Sequence, residues 1–260
     1  MVEGRPLRSR SGRVQRARAR LGHSHLTDLQ ALRLRTDCRS ALAGHWRAQG
    51  ELEHSSVVAY QDLARRLAML DAPDDLVRRS LGAAVQEADH WTRCFELAGR
   101  YLGQSLHPGR LRRPLRMPRS RTAELCALAV ETLRDGVVLE SYAARTAAVR
   151  AERANDARVI TTLQVIANDE AGHAALASDV LGWCVVVGGL PVREAVRTAA
   201  RQLAACPPIL EVSTKADPRV LADHGLFDAD PDHKMWTVLV SQTRDQLSNW
   251  LDAPVVTHAA

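Results

Sequence analysis

Aromatic side chains are scarce in this sequence: tryptophan, tyrosine and phenylalanine together make up 4% of 260 residues. Sheets and barrels lean on aromatic and β-branched residues, so the shortage argues against an all-β fold. Lysine is scarcer still, with only Lys215 and Lys234 among 35 basic residues. No Cys-x-x-Cys pair occurs, and Cys38, Cys94, Cys126, Cys184 and Cys206 are far apart and odd in number. That usage fits reduced thiols and argues against a disulfide framework. No uninterrupted apolar run reaches the roughly 18 to 20 residues of a membrane span, and no apolar signal segment follows Met1. A soluble, cytoplasmic chain without a membrane partner is the expectation.

What the chain does have is aliphatic surface. Hydrophobic residues reach 46%, too many for disorder throughout and enough for a sizeable core. The net charge of +5 is local rather than general. Seven arginines fall in residues 1–20 against one acid, Glu3, and a second acid-free cluster runs from Arg110 to Arg121. Neither cluster is interleaved with aromatics for base stacking, so a solvated tail and loop come before a nucleic-acid partner.

Residues 1–25 lack apolar periodicity and read as a flexible arm. A helical pattern runs from Thr27 to Leu70, with a break near Gly50, and stops at Asp71-Ala72-Pro73. A second helix starts at an Asp74 or Asp75 cap and ends at Gly103. Pro108, Gly109, Pro114 and Pro118 among arginines make residues 103–121 a long non-helical link. A third helix spans Thr122–Asn155, and a fourth spans Ala157–Val187, ended by Gly188-Gly189. A shorter helix follows Pro191, residues 209–234 are irregular, and Met235–Leu251 forms a last helix. The reading is therefore an all-α chain: arm 1–25, a four-helix bundle with one long crossover over 26–190, and a helical extension over 191–260.

Charged residues avoid the apolar stripe of a bundle helix, because an unpartnered buried carboxylate costs several kcal/mol. Four glutamates break that rule, one per helix. Glu53 shares its face with Trp46, Val57 and Tyr60; Glu87 with Ala83, Ala84 and Trp91; Glu140 with Leu133 and Ala143; Glu170 with Leu163, Ile166 and Ala174. Two of them open a Glu-x-x-His step, Glu87 to His90 and Glu170 to His173, which aims an oxygen and a nitrogen ligand into the same space. One such step is common on helix surfaces. Two, each preceded by a lone apolar-face Glu 34 or 30 residues earlier, are hard to obtain by chance. Four carboxylates and two imidazoles suit two divalent cations, iron or manganese better than zinc or calcium. Two such cations cancel four carboxylate charges.

The order Glu, Glu-x-x-His, Glu, Glu-x-x-His resembles the ferritin-like di-iron carboxylate superfamily over roughly residues 40–187. The resemblance implies that Glu53, Glu87, His90, Glu140, Glu170 and His173 are ligands and the catalytic set, with Glu87 and Glu170 bridging. Asp169 is the family-like position for bonding His90, and Gln86 is its neutral counterpart. Tyr60 and Tyr142 lie near enough in sequence to Glu53 and Glu140 to donate an electron or proton, though core packing is the plainer role for both.

The resemblance further implies two iron ions, or a manganese–iron pair, with O2 as cosubstrate. The leading expectation is a di-iron oxidase or monooxygenase acting on a small or carrier-bound organic substrate, fed by a reductase or ferredoxin. Iron oxidation and storage, or peroxide detoxification of the rubrerythrin kind, is the alternative. A tRNA-modifying hydroxylase is a narrower variant, suggested by the arginine clusters, and a homodimer is left open.

Overall fold

The computed structural model describes residues 5–9, 13–25, 28–111, 119–204, 215–227 and 229–252. Helices dominate them. A short strand β1 (Arg20–His25) leads through α1 (Leu29–Leu32) into the long α2 (Thr36–Met69) and α3 (Asp74–Leu102). Strand β2 (Gln104–His107) follows, then α4 (Arg121–Glu131), a π-helical segment (Thr132–Val138), α5 (Leu139–Arg153) and α6 (Ala157–Arg201). Two further helices, α7 (Pro218–Asp223) and α8 (Ala229–Asp252), complete the described elements.

Local chemistry sets the helix ends. Asp156 caps α6 by accepting from the backbone N–H groups of Arg158 and Val159, and Ser120 caps α4 through Ala123. Pro73 precedes α3, so Asp74 and Asp75 occupy its first turn rather than its cap, where they complement the helix dipole. Gly103, at a φ of 74°, closes the same helix. The two tight connections, residues 70–73 and 154–156, fold the chain into two helical hairpins. In one, α3 lies along α2; in the other, α6 lies along α4, the π-helical segment and α5; α3 and α6 bring the hairpins together.

Several details differ from the sequence expectations. Helix α2 runs unbroken through Gly50. A Cβ there would collide with the Phe95 ring and lie 3.2 Å from Cβ of Cys94, so this glycine serves close packing of α2 on α3. The expected third helix is split by the π-helical segment, whose local widening surrounds the buried Asp135 and Gly136. At Gly189 (φ 61°, ψ −144°) α6 is interrupted as the double glycine predicts, and helix resumes through Pro191. The irregular stretch contains α7, and the last helix starts earlier than Met235.

The N-terminal residues are not a free arm where the structure describes them. Leu7 and Arg5 are buried, Arg8 pairs with Asp135, and β1 pairs antiparallel with β2, Leu21 opposite Leu106. A few scattered anchors suffice for such a strap, and scattered anchors carry no periodicity. Within the link 103–121, residues 104–107 form β2, while residues 112–118 lie outside the described set. Cys38, Cys94, Cys126 and Cys184 are free thiols, and Cys206 is outside the described residues. Helix α6 also exceeds the expectation for apolar length. An 18-residue window in it has a mean hydropathy of 1.7, long and apolar enough by composition to cross a bilayer, with 39% of that window buried inside the structure.

The core falls into two apolar clusters. Leu63, Leu67, Leu128, Leu133, Val180 and Val185 belong to one; Leu42, Trp46, Phe95, Leu163 and Ile166 belong to the other. Each of α2, α3, α5 and α6 passes from one cluster to the other along its length. The four apolar-face glutamates fall at the changeover, in a polar layer sealed on both sides.

Candidate metal centre

Glu53, Glu87, His90, Glu140, Glu170 and His173 are all buried, the four glutamates at 0% exposure. Helical periodicity places them there: each lies on the stripe that its own helix turns toward the opposite hairpin. Two groups of potential ligands result. One comprises Glu53, Glu87, His90 and Glu170, the other Glu87, Glu140, Glu170 and His173, and within each group the ligand atoms lie within 4.8 Å of one another. Glu87 and Glu170 belong to both groups, so these two carboxylates could bridge a pair of cations.

Both imidazoles turn the same nitrogen inward. His90 Nδ1 is 3.6 Å from Glu87 Oε2 and 4.0 Å from Glu170 Oε1; His173 Nδ1 is 3.4 Å from Glu87 Oε1 and 3.3 Å from Glu170 Oε2. The outward nitrogens are held across the hairpins. His90 Nε2 meets Asp169 Oδ2 at 3.0 Å, and His173 Nε2 meets Gln86 Oε1 at 3.1 Å. Gln86 Nε2 donates to Asp169 Oδ1 at 2.8 Å and so joins the two arms. Because the Gln86 oxygen can only accept, His173 carries its proton on Nε2 and leaves the Nδ1 lone pair facing the carboxylates. An acidic partner on one histidine and a neutral one on the other make the two halves electronically different.

The outer glutamates also have donors. Tyr60 Oη donates to Glu140 Oε1 at 2.7 Å, and Gln49 Nε2 donates to Glu53 Oε1 at 3.3 Å. Tyr60 therefore touches the site rather than merely filling core. Tyr142 is buried with its ring edge-on to Trp236 at 5.2 Å, a packing contact. Gln49 was missed in the sequence. Its signal is position alone, one turn before Glu53 on the same face.

The donor set fits cations better than it fits itself. Both oxygens of Glu87, Oε2 of Glu140, Oε1 of Glu170 and Nδ1 of His90 are buried without a hydrogen-bond partner. Burial, reinforced by the charge of Glu140, pushes the Glu87 carboxyl well above the usual range; burial and neighbouring carboxylates do the same to Glu140 and Glu170. Burial works against a charged His90, yet the Asp169 hydrogen bond and the charges of Glu53 and Glu170 raise it to about 8. Burial lowers His173 to about 4 despite the charge of Glu140. Protons thus stand in for the positive charge that the cluster otherwise needs. Compared with family models, curated proteins and solved structures, the chain gives no match.

Proposed function

We propose that the two hairpins form a ferritin-like four-helix bundle and that its polar layer holds two iron ions, making the chain an O2-dependent oxidoreductase of an organic substrate. The carrying observation is the pair of four-residue groups that share Glu87 and Glu170, each completed by one histidine fixed through its outer nitrogen. Held by these residues, two ferrous ions would supply electrons for the reduction of O2.

The chain's own residues do the rest. Glu53 and Glu140 act as terminal ligands, oriented by Gln49 and Tyr60. Asp169 and Gln86 lock both imidazoles, so that metal does not have to order them on binding. Tyr60 keeps its proton, since burial and the charges of Glu140, Glu87 and Glu170 hold its phenol well above the ordinary range, with Arg5 opposing. It is therefore a hydrogen-bond donor at the outer edge of the Glu140 half. The flanking apolar clusters exclude bulk water, which protects an oxidising site from side reactions. Each turnover draws electrons from outside, which calls for a reductase or ferredoxin partner.

Oxidation of an organic substrate is favoured over storage because the chain covers its own hairpins. Residues 5–9 lie over α2 and the π-helical segment, and α8 packs on α6 and α5, whereas a storage shell needs those outer faces for neighbouring subunits. A nucleic-acid substrate is disfavoured because Arg5 is buried and Arg8 is paired with Asp135, which turns both toward the fold. Loading with Fe(II) under argon followed by O2 tests the reading. Oxidation that stops at about two irons per chain fits a di-iron oxidase; continued deposition of iron in mineral form overturns it in favour of storage.

A further inference from the structure

The N-terminal strap carries a cation that the metal site does not need. Arg5 is 5% exposed, and its Nη2 donates to Thr132 Oγ1 at 3.3 Å. Among the described residues it makes no ion pair. Its neighbours are satisfied: Arg8 and Arg134 both pair with Asp135, Arg66 pairs with Glu131 and Glu124, and Asp62 pairs with Arg65. One positive charge is left over.

That charge lies against a cavity of about 130 Å³ beneath the strap, whose lining includes Leu7, Ala59 and Leu63 and, besides Arg5, three carboxylates (Asp62, Glu131 and Asp135), each already paired with an arginine. Its position relative to the cluster follows from Gly136. A Cβ at Gly136 would stand 3.1 Å from Arg5 Nη1 and 2.6 Å from Cβ of Ala177, so the glycine makes the room that the guanidinium uses. Glu140 follows Gly136 by four residues, and His173 precedes Ala177 by four. The guanidinium is therefore about one helical turn, roughly 5 Å of rise, from the Glu140–His173 half of the cluster. Ala59 and Leu63, which line the cavity, stand one residue before and three residues after Tyr60 on α2.

Resting on the di-metal reading, the charge balance becomes specific. Two dications cancel four glutamates, and Asp169 lies with His90, eight residues along α6 from the Ala177 beside Arg5, so Arg5 stays buried without a local counter-charge, which is costly unless an anion joins it. We propose that the cavity under the strap is a binding site for a monocarboxylate, its carboxylate on Arg5 and its organic body directed along the apolar side of Ala59 and Leu63 toward the Glu140 half of the site. The substrate class is then a small organic acid. A guanidinium presents parallel N–H donors that match a carboxylate, and one surplus charge matches a monoanion rather than a phosphate dianion.

Binding of benzoate to the Mn(II)-loaded full chain, followed by calorimetry, tests this without any turnover. Benzoate binds, benzamide and inorganic phosphate do not compete, and Arg5→Gln weakens benzoate by roughly tenfold or more, the loss expected for a charge-assisted hydrogen bond. Equal binding of benzamide, preference for phosphate, or unchanged affinity in R5Q overturns the assignment. Should R5Q not fold, an arginine-selective dicarbonyl is applied to the wild-type chain and read by mass spectrometry. Protection of Arg5 by benzoate supports the site, and unchanged modification overturns it. Manganese content of the same samples is measured separately, so absence of metal marks failure of the di-metal reading, and full metal without benzoate binding marks failure of this one.

Discussion

Replacing Glu87 with methionine keeps the length of the side chain and removes its charge, with opposite consequences in the two states of the protein. Glu87 is 0% exposed, and neither of its oxygens has a hydrogen-bond partner. Without metal it is a liability: a buried carboxyl without a hydrogen-bond partner costs about 1–3 kcal/mol, which an apolar side chain of similar volume avoids. The gain depends on pH with a definite sign. The folded carboxyl holds its proton well above the ordinary range, so wild-type stability is fully present below the unfolded value of 4.5 and falls as pH rises toward the folded one. The advantage of E87M is therefore larger in mild alkali than in acid. With metal the order reverses. A ligand at a hundredfold excess over its Kd adds about 2.7 kcal/mol to the wild type, and E87M, lacking a carboxylate common to both ligand groups, forfeits it. Urea unfolding followed by circular dichroism, with chelator and with Mn(II), reads both effects. A metal-free E87M less stable than wild type, or one still stabilised by Mn(II), refutes the reasoning.

Other perturbations give distinct outcomes. Asp169→Ala removes the partner of His90 Nε2 and lowers metal affinity by about 10–100-fold at one of the two positions, seen as a split isotherm in calorimetry; uniform affinity contradicts it. Gly50→Ala drives a methyl into the Phe95 ring and costs about 1–3 kcal/mol in thermal unfolding; a neutral result contradicts the close approach of α2 and α3. Asp135→Asn loosens the strap by about 1–2 kcal/mol, a figure reduced because Arg8 and Arg134 are partly exposed. Burial works against the charge of Asp135, but both arginines hold its carboxyl below the ordinary range. Its contribution is thus present above the unfolded value of 3.8 and lost as pH falls through the folded one, so wild type and D135N converge in strong acid. A gap that persists there sinks the assignment.

The six buried candidate ligands were legible because periodicity is a strong signal and a glutamate on an apolar stripe violates it. The Asp169 contact was implied by the resemblance, which assigns that role to the residue just before Glu170. Arg5 was not legible: it sits in a stretch with seven arginines, and nothing in the chain says which of them points inward. Only the room left by Gly136, itself an ordinary glycine within a helical pattern, distinguishes it. Gly50 misled for a related reason, since a glycine reads as a helix break when its true partner is Phe95, 45 residues away. The paired strands were hidden because β1 is mostly exposed and needs no apolar alternation. In α6, Glu170, His173 and Asp179 interrupt the apolar sequence, so a search for uninterrupted runs passes over a helix that is apolar on average.

Anomalous scattering at the iron edge, from crystals of the chain reconstituted with Fe(II) under argon, addresses the central claim most directly. Two peaks are predicted, one on each side of the Glu87–Glu170 pair, with His90 Nδ1 and His173 Nδ1 each facing a different peak. No peak among these six residues, or iron bound only at the surface, would contradict the account.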